Sequence, residues 1–521
     1  MRTLPLAVVL VAGLFASPVF TAQRRAAPAP AAQPAATVSV LDWPTFGGNV
    51  ARTSASTAST PINASNAASL VRRQITVDGI IDASVIYLHG VQVGGAARDV
   101  ILATTRYGET LAVDVHDGTT LWRFEPPGFD ATATPREITN TTPTADPSRL
   151  FIYTASSDGK VVKLAIADGK VVWSTSITKL PQREKIASPL TYFQGRVFAV
   201  TAGYVGDAPP YQGHVAVLDA GTGQVLHVWN SLCSDRHEII DPSTCTATRS
   251  AIWGRAGVVI DEATGNVFVS TGNGPWDGQT SWGDASIELN ENATEMLGNW
   301  TTTNNEELQR RDLDVGSTSP VLLGDGFIAQ GGKDGTIRLL TLEVMKGTTP
   351  HRGGELQVVS TPSGAQLLTA PAVLKAGGTT WMFAADRGGT AAWTFTDHQL
   401  KEAWKNSSGG TSPFVAGGLL YVYDPGSTGG LGFGGGRFGA AANTGAGVTQ
   451  GARDGGTPPA APAGHLRVYE AQTGRLVTTL ECGAGHWNSP IVVDGRVILP
   501  EGSANNRDAA AKGIVNIWSL P

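Results

Sequence analysis

Apolar and polar residues alternate with a period of two along most of the chain, in short runs closed by turns that contain glycine. The runs come in pairs around a recurring turn. LAVDVHDGTTLW ends at Trp122, VKLAIADGKVVW at Trp173, HVAVLDAGTGQVLHVW at Trp229 and HLRVYEAQTGRLVTTL at Leu480. Each copy reads as strand, tight turn, strand, with Gly118, Gly169, Gly223 and Gly474 where the turn needs a positive φ. Further strand pairs alternate with these copies, as in SPLTYFQGRVFAVTAG, SPFVAGGLLYVYDPG and SPIVVDGRVILPEG. The unit is thus four strands long and repeats every fifty residues or so, which is the mark of a β-propeller.

Counting strand-pair signals gives units beginning near Ser84, Thr141, Ser188, Ile252, Ser319, Ala370, Ser412 and Ser489. The expected fold is all-β: an eight-bladed propeller of four-stranded antiparallel blades. The last unit ends at Trp518 without a fourth strand, while SLVRRQI, starting at Ser69, is a strand with no local partner. That N-terminal strand is expected to complete the last blade and close the ring, leaving no exposed sheet edge there. Trp122, Trp173, Trp300 and Trp404 end the fourth-strand register, where a large aromatic can wedge between blades.

Composition refines the organisation. The chain has 521 residues, 64 of them Gly, with 16% charged residues and a net charge of -6. No basic stripe is present, which argues against nucleic acid as a partner. Residues 1–22 read as an export signal: Arg2 precedes an apolar core that is too short to span a bilayer, and Phe20-Thr21-Ala22 offers a cleavage site. Residues 23–40 form an Ala/Pro-rich linker, and 41–521 a single propeller. The stretch 426–464 is a Gly-rich insertion in the seventh blade, too poor in large apolar residues to fold alone. The expectation is a soluble monomer, periplasmic or secreted, without membrane insertion. In such a compartment Cys233 and Cys245 are expected to pair, leaving Cys482 buried.

The chemistry concentrates between Ile252 and Gly335, where three polar residues stand in loops flanked by strands: Asn273, Asp314 and Lys333. Asn and Lys-Asp-Gly are also ordinary turn formers. Asp314 is harder to assign to a turn, because its DLD run precedes a strand.

The repeat with its LDAxTG core, the opening WPTFGGNVARTS and the eight units resemble the pyrroloquinoline quinone (PQQ) repeat propellers. That group includes quinoprotein alcohol dehydrogenases and non-catalytic propellers such as the one that assists outer-membrane barrel assembly. The resemblance implies PQQ and calcium as cofactors, with Asn273 of the Thr-Gly-Asn turn as a metal ligand. It implies Asp314 as general base and metal ligand, and Lys333 in contact with the quinone. Trp253 would floor the cofactor, and Asp207 lies near the loop of a further metal ligand. The chain departs from the pattern in lacking adjacent cysteines at Ile138-Thr139-Asn140-Thr141-Thr142 and any haem attachment motif. These departures favour a non-catalytic binding or scaffold module recognising a protein or polymer. The ordered triplet Asn273, Asp314 and Lys333 favours the alternative, a PQQ- and calcium-dependent dehydrogenase oxidising an alcohol.

Overall fold

The computed structural model describes residues 1, 41–128, 138–204, 207–426, 463–506, 508 and 510–521. The expected signal and linker over 1–40 and nearly all of the Gly-rich insertion lie outside the described residues, apart from Met1. From Leu41 onward the chain builds eight blades, each with four antiparallel strands. Blade 1 runs Ile86–Val93, Ala96–Thr104, Thr110–Asp114 and Thr120–Phe124; blade 4 runs Val259–Ile260, Val267–Ser270, Ala285–Leu289 and Met296–Thr301. Blade 5 runs Val321–Gly324, Phe327–Gly331, Thr336–Thr341 and Gln357–Ser360. The Gly-rich insertion falls between Leu419–Asp424 and Gly464–Glu470, the second and third strands of blade 7.

The N-terminal strand closes the ring as expected. Val71–Val77 pairs antiparallel with Gly513–Ser519, from Val71↔Ser519 to Val77↔Gly513, and becomes the outer strand of blade 8. A second N-terminal tie was not legible in the pattern: Ala55–Ser56 adds in parallel to the inner strand of blade 7, with Ala55 opposite Val415. Ahead of it, buried Arg52 donates to Phe46 O at 2.7 Å, Leu190 O at 3.0 Å and Val258 O at 3.2 Å. One guanidinium therefore pins the WPTFGGNVARTS segment to the approaches of blades 3 and 4. Burial pushes its pKa down to about 9, a cost that the convergent carbonyls offset.

The repeated Trp and Gly belong to one packing device. The Trp122 ring lies against Gly169 in the hairpin of the next blade, and its indole N–H donates to Ile166 O at 2.7 Å. Trp173 meets Gly223 and donates to Ala220 O, and Trp404 meets Gly474 and donates to Ala471 O. Each glycine thus serves twice, supplying a positive φ and leaving room for the ring. At the closure Ile75 takes the tryptophan's place against Gly118, which puts the N-terminal strand in the same register as the other fourth strands. Trp300 departs from the scheme. Blade 5 carries a short helix, Leu342–Met345, where the others have a tight turn, and Trp300 donates instead to Gly353 O at 3.1 Å. Apolar side chains of adjacent blades interdigitate elsewhere, as Leu88, Val100 and Leu102 do with Ile152, Val162 and Leu164.

The disulfide forms between Cys233 and Cys245, and Cys482 is a buried free thiol. Among the described residues no helix is long and apolar enough to cross a membrane.

Candidate functional site

In this topology the loops between second and third strands share a face with the loops that enter the next blade. The first kind supplies Asn273, after Val267–Ser270 of blade 4, and Lys333, after Phe327–Gly331 of blade 5. The second kind supplies Asp312 and Asp314. The helix Asn305–Arg311 ends in Asp312, whose left-handed φ of 56° stops the helix and turns the chain inward. Asp314 then starts the one-turn segment Val315–Ser317.

The loops interlock through the backbone. Lys333 N donates to Asp314 O at 2.9 Å, and Gly272 N to Ala251 O at 2.7 Å. At Gly272 a Cβ would lie 2.9 Å from Trp253 Nε1 and 3.0 Å from Asp314 Oδ2, so only glycine leaves space for those two groups to meet.

Four of the five residues singled out in the sequence come together. Lys333 Nζ lies 3.3 Å from Asp314 Oδ1 and 3.3 Å from Asp312 Oδ1, bridging the two carboxylates. Trp253 Nε1 donates to Asp314 Oδ2 at 3.0 Å, and Asn273 Nδ2 to Asp312 Oδ1 at 3.3 Å. The Lys333 ammonium sits 5.1 Å from the centre of the Trp253 ring, within cation–π range. The fifth, Asp207, is exposed and has a φ of 46°; partial desolvation raises its carboxyl, with smaller effects from the charges of Lys333, Asp312 and Lys185.

Burial sets the electrostatics. Asp314 and Lys333 are almost wholly buried. Burial pushes the Asp314 carboxyl up to about 6, against the pull of Lys333 and with the repulsion of Asp312. The Lys333 ammonium loses hydration, yet Asp314 and Asp312 outweigh that loss and raise its pKa. Asp284, behind Asp314, is raised well above the carboxylate range by burial and by the charge of Asp314. Its Oδ1 accepts Val315 N at 3.1 Å. Asn273 Oδ1 and Asp284 Oδ2 are closed to solvent without a hydrogen-bond donor, and Asp314 Oδ1 is closed to solvent with the Lys333 ammonium 3.3 Å away; buried oxygens without a donor are uncommon. Two of them, Asn273 Oδ1 and Asp314 Oδ1, belong to the residues proposed as metal ligands, and amide and carboxylate oxygens suit a hard cation. In chemical type, these oxygens are donors that a calcium-type ion takes.

A cavity of about 660 Å³ opens beside the group, lined among others by Leu308, Arg311, Leu313, Lys333, Arg338 and Arg387. A second polar network was not found from the sequence. Asn140 stands in the stretch where the resemblance implies a cysteine pair. Its Nδ2 donates to Asp82 Oδ2 at 3.0 Å and its Oδ1 accepts Lys185 Nζ at 3.3 Å. Arg255, two residues beyond Trp253, donates to Asn140 O and to Trp487 O, each at 3.2 Å. Burial lowers Lys185 to about 8 and Arg255 to about 10. These residues lie far apart in sequence and follow no spacing rule, which is why pattern reading missed them. Asp312 could have been found: it shares the DLD run with Asp314.

The family described as outer membrane protein assembly factor BamB, a PQQ-repeat family, matches residues 44–274. The quinohemoprotein alcohol dehydrogenase of Comamonas testosteroni is similar in structure, with a TM-score of 0.63 and 15% identity over 92% of this chain and 80% of that one. Quinohemoprotein alcohol dehydrogenase ADHIIG of Pseudomonas putida HK5 gives 0.65 and 14% over the same shares, 92% and 80%. A europium-containing methanol dehydrogenase gives 0.63 and 13%, covering 92% of this chain and 98% of that one. Comparison with curated proteins by sequence found no match. Identities this low speak for the fold alone.

Proposed function

We propose that this chain, an eight-bladed propeller whose residues 44–274 match a PQQ-repeat family, is an exported oxidoreductase of the quinoprotein type, acting on an alcohol at the Asp314 group. The observation that carries the reading is the buried Asp314–Lys333 pair with half-buried Asn273 and Trp253 beside it, from two adjacent blades, in which Asn273 Oδ1 has no donor. A scaffold face has no need to bury an ion pair beside an amide oxygen without a donor, because desolvation there is costly.

In this reading Asn273 and Asp314 would supply oxygen ligands to a calcium ion, with Asp207 a further candidate ligand on its exposed loop. Trp253 is half-buried and offers an indole surface to a planar quinone. Lys333, Lys185 and Arg255 provide buried positive charge for a cofactor that bears carboxylates. When bound, the quinone supplies the two-electron acceptor. Asp314, as a carboxylate, would take the proton from the substrate hydroxyl. Trp253 Nε1 fixes the second oxygen of that carboxylate, and Lys333 stabilises its charged form. The 660 Å³ cavity meets this group at Lys333 and is large enough for a small alcohol.

A second reading keeps the cluster as a ligand site without turnover. It is favoured by Asn140 and its hydrogen-bonded network standing where a cysteine pair is implied. Dye-linked alcohol oxidation, after reconstitution of the full chain with PQQ and calcium, separates the two. Turnover that disappears in Asp314→Asn while the circular dichroism spectrum persists supports the oxidoreductase. No turnover across primary, secondary and aromatic alcohols, despite bound quinone, supports the second reading and sinks the first.

A further inference from the structure

A second cluster of ligand-type side chains lies on the opposite face, among the hairpins that join first to second and third to fourth strands. His89, Asp99 and Asp494 each bring one donor atom within 4.8 Å of the others. His89 Nδ1 is 2.9 Å from Asp99 Oδ1 and 3.6 Å from Asp494 Oδ2. That nitrogen is closed to solvent and makes no aligned hydrogen bond. An imidazole nitrogen set against two carboxylate oxygens without hydrogen-bond alignment matches ligands around a shared cation. Bonds of about 2.0–2.2 Å place neighbouring ligands of a tetrahedral ion roughly 3.3–3.5 Å apart, and the two distances here bracket that value. His116 Nε2 lies 3.0 Å from Asp99 Oδ2 and brings a second imidazole to the edge of the group.

The backbone is shaped to present these groups. The inner strand of blade 1 slips register between Leu88 and Val91, so His89 and Gly90 leave the ladder opposite Asp99. Gly90 N, turned by a φ of 60°, donates to Asp99 Oδ1 at 2.9 Å. Asp494 sits in the first hairpin of blade 8 with a φ of 50°. Tyr87 OH donates to its Oδ2 at 2.6 Å and Arg496 pairs with it. Such outer partners hold ligands in orientation. Arg496 brings one positive charge against two carboxylates, so with neutral imidazoles a net negative charge remains for a cation to meet. Mixed imidazole and carboxylate donors suit zinc and its neighbours better than calcium or magnesium.

We propose that His89, Asp99 and Asp494, with His116 holding the second oxygen of Asp99, bind a divalent first-row transition-metal ion such as Zn²⁺ that clamps blade 8 to blade 1. The site joins the last blade to the first beside the ring closure and works independently of the Asp314 group.

The full chain, stripped with a chelator, is titrated with Zn²⁺ against a chromophoric competitor, and with Co²⁺ while visible absorption is recorded. The expected result is one ion per chain, cobalt ligand-field bands, and a thermal midpoint that rises with zinc. His89→Ala and Asp494→Asn each lower the affinity more than about 100-fold, beyond the loss usual for an outer-shell partner. Asp314→Asn leaves the zinc in place. His89 is 42% exposed, and Asn tolerates the left-handed backbone at 494, so both variants keep the fold. Failure of the unaltered chain to bind either ion stoichiometrically, or undiminished binding in both variants, overturns the proposal.

Discussion

Replacing Asp314 with Asn probes what the candidate site costs the fold. Burial pushes the Asp314 carboxyl from 3.8 up to about 6, against Lys333 and with Asp312. The folded protein therefore holds this proton more tightly than the unfolded chain does. The stability that the protonated group contributes is fully present below pH 3.8 and is lost as pH rises through about 6. The difference amounts to about 3 kcal/mol of destabilisation at neutral pH. Asn keeps the shape, its amide oxygen can still accept from Trp253 Nε1, and it carries no charge. Lys333 loses one carboxylate but retains Asp312 at 3.3 Å, which offsets part of the gain. The variant should be about 1–2 kcal/mol more stable than the parent at pH 7.5, with the gap closing near pH 4. Urea unfolding of both proteins from pH 4 to pH 8 reads it directly. A variant that is less stable at pH 7.5, or a gap that does not change with pH, refutes the assignment of Asp314 as a carboxylate strained by burial.

Gly223→Ala should lower stability by about 2–4 kcal/mol in urea melts, since alanine disfavours a positive φ and crowds the core: φ there is 76° and a Cβ would lie 2.5 Å from the Trp173 ring. In the chain reconstituted with PQQ and calcium, Trp253→Phe removes the donor 3.0 Å from Asp314 Oδ2 and should move the acid limb of the pH–rate profile up by about one pH unit; an unmoved limb would show that this carboxylate does not control it. Deleting residues 69–77 leaves the edge of Gly513–Ser519 bare, and size-exclusion chromatography should show aggregation in place of the sharp peak of the parent.

The propeller was legible because its determinants are local and repeated. A period of two recurs through all eight blades, a turn glycine receives a tryptophan in three of them, and the unpaired SLVRRQI has one vacant position to fill, as Ile75 against Gly118 confirms. Ala55–Ser56 was not legible, since two residues carry no period, and neither was the route of Arg52 to carbonyls more than a hundred positions away. At the site, Asn273, Asp314 and Lys333 could be placed on one face by strand counting alone. Their partners could not: Asp284 meets Asp314 through a hairpin of its own blade, and Asp82, Asn140, Lys185 and Arg255 meet across several blades. Charge and burial at such crossings depend on tertiary placement, which no spacing in the chain encodes.

Equilibrium binding of PQQ to the full chain, with and without calcium, followed by quenching of tryptophan fluorescence, tests the central claim most directly. The account predicts one quinone per chain, dependence on calcium, and loss of that dependence in Asn273→Ala, which removes a ligand oxygen that now has no donor. Absence of stoichiometric binding in both conditions would contradict it.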